Sequence, residues 1–198
     1  MARVKPAEAR VAESGTVSKL TYEDLEPLPE DGKRRELIDG ELVVSPSPQT
    51  RHQAVVGNLH FLIARHVRDK RCGRLFLAPF DVVLSRHDVL EPDLLYISHE
   101  RMERLTRRNV QGAPDLVVEV LSEWSRRRDE IVKRRLYEAH GVAEYWIVDP
   151  EIDVIRVYRR VDGRLSRVAE LTAEAKDVLT TPLLAGLELS LADVFEEA

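Results

Sequence analysis

The chain has 198 residues, 43% of them hydrophobic and 33% charged, with a formal net charge of −5. This suits one domain with a real core and excludes a protein that coats nucleic acid through bulk positive charge. Cys72 is the single cysteine, which excludes an intrachain disulfide and a cysteine-built zinc cage; no apolar run reaches membrane-spanning length and the N-terminus lacks a secretory h-region, so a cytoplasmic location is expected.

Residues 1–17 read as a mobile tail and 18–198 as a single domain. "RRELIDGELVVS" predicts a hairpin, Arg34–Ile38 returning at Glu41–Val44 around an Asp39-Gly40 turn of the primed type. "SPSPQ" then breaks the chain. "RHQAVVGNLHFLIARHVRDK" has helical period, with Val55, Val56, Leu59, Leu62, Ile63 and Val67 on one face. "RLFLAPFDVVLS" predicts a strand pair or one long bent strand, "EPDLLYIS" another strand, and "HERMERLTR" a short polar helix or turn. "PDLVVEVLS" is an unbroken apolar run, as in a strand covered on both faces. "RRDEIVKRRLYEAHG" predicts a helix ended by Gly141, with Val132, Leu136 and Ala139 on its buried face. "AEYWIVDP" is a buried strand, and Asp153–Val161 with Arg164–Leu171 form a second Asp-Gly hairpin. "PLLAGLELSLADVFEEA" holds a short strand and a final helical turn. The order is mixed α/β around a central sheet, with one strand–helix–strand crossover over residues 115–149 that implies a parallel pair.

Acids interrupt these apolar runs. Strand alternation puts Asp115, Val117, Glu119 and Leu121 on one face. A carboxylate inside "LVVEVL" is costly to bury alone, so an ion pair, a hydrogen-bond network or a metal must compensate Glu119. Asp93 enters from a second apolar strand, directly after Pro92. Two such acids make the oxygen-rich pair a hard divalent cation requires. Glu36 is a third acid in an apolar setting, or else a solvated hairpin edge beside Arg34 and Arg35. A metal-assisted phosphodiester hydrolase also needs a cation to orient water and stabilise developing charge. Leu121, two residues after Glu119, cannot supply it. Lys133 lies at the border of the helix's buried face, on the side of Asp129, Tyr137 and His140. It either reaches back to the sheet's carboxylates or makes an i, i+4 pair with Asp129.

His52, beside Gln53, starts the first long helix on its apolar side; it either lines the same cleft or is a core-edge histidine. His52, His60 and His66 lack paired ligand spacing, so no zinc site is expected. No nucleotide-binding glycine loop and no G-x-S-x-G is present. Arg126, Arg127 and Arg128, with Arg134 and Arg135, and separately Arg104, Arg107 and Arg108, form either solvated faces or a phosphate track.

The segments "YEDLEPLPEDGKRRELIDGELVVSPSPQTRHQ", "EPDLLYIS", "GAPDLVVEVLSEWSRRRDEIVKRRLYEAHGVAEYWIVDP" and "LLAGLELSLADVF" resemble the Uma-type family of endonucleases. That family is grouped with the PD-(D/E)XK restriction-endonuclease-like superfamily. The resemblance runs from about Leu20 to the C-terminus. It implies a three-layer α/β core with a central mixed sheet, flanking helices and additional hairpins. It also implies a Mg²⁺- or Mn²⁺-dependent endonuclease acting on DNA, with Asp93 and Glu119 as metal-binding acids. Glu36 is the further acid, and Lys133 is the catalytic lysine, moved from the strand to the helix. Asp115 fits the literal "PD" as second choice to Asp93, and His52, Gln53 and Tyr137 are accessory candidates. Arg126–Arg128 would contact phosphates. In many relatives Pro-Ser follows "EVLS", where this chain has Glu123-Trp124. The alternative is a catalytically silent protein on the same fold that binds nucleic acid or another protein. The hairpin edges at 153–171 also allow a homodimer.

Overall fold

The two Asp-Gly hairpins form where the sequence places them, because both turn residues take positive φ. These are 52° and 77° at Asp39 and Gly40, and 50° and 81° at Asp162 and Gly163. That backbone matches the twist of the flanking strands. The computed structural model describes residues 18–29 and 31–196; the tail expected at 1–17 lies outside them.

In chain order the elements begin with a one-turn helix α1 (Tyr22–Leu25), the hairpin β1 (Arg34–Ile38) and β2 (Glu41–Ser45), and the long helix α2 (Thr50–Lys70). Strands β3 (Gly73–Leu77), β4 (Asp81–Val83), β5 (Val89–Leu90) and β6 (Leu94–Ser98) follow, then a 3₁₀ segment His99–Arg104, β7 (Asn109–Gln111) and β8 (Leu116–Val120). A π-helical turn, Arg128–Lys133, leads straight into α3 (Arg134–His140). The chain ends with β9 (Glu144–Asp149), β10 (Val154–Val161), β11 (Arg164–Thr172), β12 (Val178–Leu179), β13 (Leu189–Ser190) and α4 (Leu191–Phe195).

The central sheet has six strands in the order β11-β10-β9-β8-β6-β3. It is mixed: β8 runs parallel to β9, as the crossover requires, and antiparallel to β6. A second, five-stranded sheet has the order β2-β1-β5-β4-β7. "RLFLAPFDVVLS" therefore forms two strands, but they do not pair. β3 closes the edge of the central sheet and β4 joins the second. The reverse passage comes at β5 and β6, which stand in different sheets, joined through Glu91-Pro92-Asp93.

Alternation along the central strands builds three layers. Leu94, Tyr96, Val118, Val120, Trp146 and Val148 face α2 and α4. Leu95, Ile97, Val117, Leu121, Tyr145 and Ile147 face the other way, onto Tyr137 of α3 and onto Val82, Leu90 and Val110 of the second sheet. All five residues of β8 are buried, as its apolar run predicts. From α2 the central sheet receives Val55, Val56, Leu59, Ile63 and Val67. Each fully buried side chain of this kind stabilises by about 1.5–3 kcal/mol. Among the described residues no helix is long and apolar enough to cross a membrane.

Candidate active site

The acids converge where the two sheets meet. Glu36 sits on β1, whose next residue, Leu37, packs on Val83 and Val89 inside the second sheet. Alternation turns Glu36 the opposite way, and it is fully buried. Its Oε1 accepts the Glu91 backbone N–H at 3.0 Å. The reading of Glu36 as a solvated hairpin edge is therefore corrected: the second sheet folds β1 inward against the central one. Asp93 stands where the chain passes from β5 to β6. Its Oδ1 accepts Arg34 at 2.7 Å, and its Oδ2 accepts the Val120 backbone N–H at 2.7 Å and faces His52 Nε2 at 3.3 Å. Glu119, on β8, is 1% exposed.

Lys133 joins these strands. Its Nζ lies 2.7 Å from Glu36 Oε1, 2.9 Å from Glu119 Oε1 and 3.4 Å from Asp129 Oδ1. Both readings of this lysine hold together, since it reaches the sheet and pairs with Asp129. Tyr137 donates to the same Glu119 oxygen at 2.9 Å. The expected buried face of this helix is corrected. Val132 is 38% exposed and Ala139 is also exposed, while Asp129, Lys133 and Tyr137 are buried. The carboxylates of the sheet select that polar face. The π-helical turn accommodates it, with the Tyr145 hydroxyl donating to the Asp129 carbonyl at 3.1 Å. Such turns cluster at functional sites.

The charges do not balance. Glu36, Asp93, Glu119 and Asp129 are buried and face three cations: Lys133, Arg34 and, 3.9 Å from Glu36 Oε2, Arg128. Burial pushes the Glu119 carboxyl up to about 8; Lys133 offsets part of this, and Asp129, Asp93 and Glu36 add to it. Lys133 is also buried, but the three carboxylates around it outweigh that and hold it firmly charged. Asp93 behaves oppositely. Burial raises it, but the hydrogen bond from His52 and the Arg34 guanidinium bring it down to about 2. Glu91, which the sequence reading passed over, lies 8% exposed beside the cluster, and burial raises it to about 7. Glu36 Oε2 and Asp129 Oδ1 are buried without a hydrogen-bond donor, as is His52 Nδ1.

The cluster opens to solvent through a cleft of about 920 Å³, lined by Asp93, Glu119, Lys133 and Arg34, by His52 and Gln53 of α2, and by Arg128. Other candidates lie apart. Asp115 accepts the Ser98 backbone N–H at 2.7 Å and pairs with Arg101 at 3.1 Å, joining β8 to the 3₁₀ segment outside the cleft. Arg126 is bound to Asp149 and Glu151. Arg127 is exposed, and Arg128 lies 3.9 Å from Glu36 Oε2. Arg34 was missed as a site residue. Its signal was a cation two residues before a buried acid on one strand, hence on the same face. Among the described residues no three His, Cys, Asp or Glu side chains are grouped to hold a metal ion by themselves.

Comparison with known proteins agrees with this architecture. A putative nuclease belonging to DUF820 from Anabaena variabilis superimposes with a TM-score of 0.74 at 24% identity, covering 89% of this chain and 97% of that one. The type IIG restriction endonuclease BpuSI aligns with a TM-score of only 0.40 and 13% identity, over 78% of this chain and 17% of that larger one. No curated protein matches. The model of the family Uma2, described as "Putative restriction endonuclease", matches residues 21–192, which include every residue of the cluster. With nearly the whole chain matched and the fold shared, this protein belongs to the Uma2 family.

Proposed function

We propose that the protein is a metal-dependent endonuclease that hydrolyses phosphodiester bonds of DNA. The family description and the neighbour described as a nuclease support that class of reaction. The observation that carries it is a lysine within 3.4 Å of three buried carboxylates at the floor of an open cleft.

The donor set fits Mg²⁺ or Mn²⁺. The cluster holds four acids against three cations, and two carboxylate oxygens, Glu36 Oε2 and Asp129 Oδ1, are buried without a hydrogen-bond donor. A divalent cation would add positive charge to this acid-rich site. Asp93 and Glu119 would hold it, leaving other positions to water and substrate phosphate. Mg²⁺ is commonly bound this way, through one or two carboxylates. When bound, the ion would polarise the phosphodiester and lower the pKa of an attacking water.

The chain's own groups do the rest. Arg34, His52 and the Val120 N–H fix the Asp93 carboxylate. Tyr137 fixes Glu119. Glu36 and Asp129 steady Lys133, whose charge orients the water and stabilises the charge that develops on the phosphate oxygens. Arg128, at the rim and 3.9 Å from Glu36 Oε2, would meet a flanking phosphate.

The test is nicking of supercoiled plasmid by purified protein in Mg²⁺, Mn²⁺ or EDTA. The expected result is metal-dependent cleavage that Asp93→Asn and Glu119→Gln both abolish. Equal cleavage by parent and variants, with contaminating nuclease excluded, overturns the reading. DNA binding without cleavage in any metal would favour the silent alternative.

A further inference from the structure

Two residues in the cleft have no role in holding the acid cluster. Trp124, in the segment after β8, is 76% exposed, while the other tryptophan, Trp146, is fully buried. An indole at a cleft rim presents a flat, amphipathic face that a partner can cover. It is not a stray side chain on a loose loop. Arg128 donates to the Trp124 carbonyl at 3.4 Å, and Ser122 and Ser125 tie the same turn together through their hydroxyls at 3.1 Å. The second residue is Gly57, in the interior of α2. Glycine there weakens a helix. Its backbone has no need of glycine, since its φ is not positive, and a Cβ at that position would meet nothing within 4 Å. Neither turn geometry nor packing accounts for it. Gly57 lines the cleft, exposed, between Gln53 and His60. The missing side chain leaves the helix wall open there.

We propose that this cleft takes an unpaired DNA base, stacked on Trp124, with the Gly57 gap giving it room against α2. A flat π-surface at the rim and a shallow recess in the wall suit a planar ring. Gln53 and His60 offer polar edges beside the recess. The strand's phosphates would meet the cations that line the same cleft, Lys33, Arg35, Arg108 and Arg128, by exchanging with the acids that pair them here, Asp31, Glu26 and Glu36. Stacking of this kind tolerates any base and favours single-stranded or locally opened DNA over intact duplex. The inference rests on the nuclease reading for its choice of polymer, and extends it by naming the strand state the site accepts.

Binding and cleavage are read separately. Trp124 is the exposed fluorophore, so single-stranded dT12 in EDTA should quench tryptophan emission in the parent protein, and a 12-base-pair duplex should quench it much less. With fluorescein-labelled dT12, anisotropy should show the Kd rising about tenfold for Trp124→Ala, the scale of losing one stacked base. Trp124→Phe should retain most of the affinity. Gly57→Leu should weaken binding while its Tm stays at or above the parent's, a pairing that a purely structural role for Gly57 would not give. Unchanged dT12 affinity in both Trp124→Ala and Gly57→Leu overturns the proposal, as does equal quenching by duplex. Quenching that persists where Mg²⁺ yields no cleavage supports the slot and sinks only the hydrolytic reading.

Discussion

Lys133 is buried at 3% exposure with three carboxylates as partners. Breaking a buried ion pair by removing one member typically costs about 3–5 kcal/mol, because the remaining charge is stranded. Lys133→Met is therefore expected to lower stability near pH 8 by about that much. The loss should be smaller near pH 5, where the stranded acids can take up protons. Thermal melts at the two pH values check this. Where the variant is folded, plasmid cleavage should fall by about 10²–10³-fold, the scale of losing one charge-stabilising donor. Glu119 gives a second prediction at this scale. Its carboxyl rises from 4.5 to about 8 in the folded protein, so the folded state binds this proton more tightly than the unfolded chain. The stability it contributes is fully present below pH 4.5 and is lost as pH rises through about 8. Asp93 has the opposite sign. Lowered from 3.8 to about 2, it contributes stability above pH 3.8 that disappears as pH falls through about 2. Melts of metal-free parent and Glu119→Gln from pH 5 to 8 should show a steeper decline in the parent. Parallel curves would count against an uncompensated Glu119.

Among the elements, β3 has the tightest backbone requirement. Gly73 takes φ of 153°, and a Cβ there would stand 2.2 Å from the Ile97 carbonyl oxygen on β6. Gly73→Ala must therefore shift the β3–β6 pairing or strain its own backbone, at a cost of about 1–3 kcal/mol. Gly163→Ala, at a hairpin tip with open space around it, should cost less. Urea denaturation of both variants checks the ranking. The elements also show what the sequence can disclose. The two hairpins and α2 were legible because Asp-Gly turns and an apolar stripe act locally. The strands β5 and β7 were not, since runs of two and three residues leave no period to read. The face of the helix at 128–140 was misjudged because apolar periodicity assumes an apolar partner. Here the partner is a ring of carboxylates, and a π-helical turn brings Asp129, Lys133 and Tyr137 onto it. Glu119 was visible as a charge inside an apolar run. Arg34 carried a weaker signal, its place two residues before Glu36, because its partner Asp93 lies 59 residues away in sequence.

At the scale of the whole molecule, the site exists because the chain changes sheets. β1 and β5 belong to the second sheet, β6 and β8 to the central one, and Asp93 lies on the passage between them. Glu36 and Glu119 thus come from different sheets, and Lys133, from the helix side, is bound to both. No single layer contains the cluster, so its chemistry depends on how the layers are packed. The acid left in excess by that packing, with the Glu36 and Asp129 oxygens that lack a donor, forms the basis for proposing a divalent ion. Anomalous diffraction from crystals soaked in Mn²⁺ tests this most directly. The expected result is a peak bonded to both Asp93 and Glu119 carboxylates, at about 2.1 Å as for an octahedral oxygen-bound ion, and absent from crystals of Glu119→Gln. An empty position between the two acids, at a Mn²⁺ concentration that supports plasmid cleavage, would contradict it.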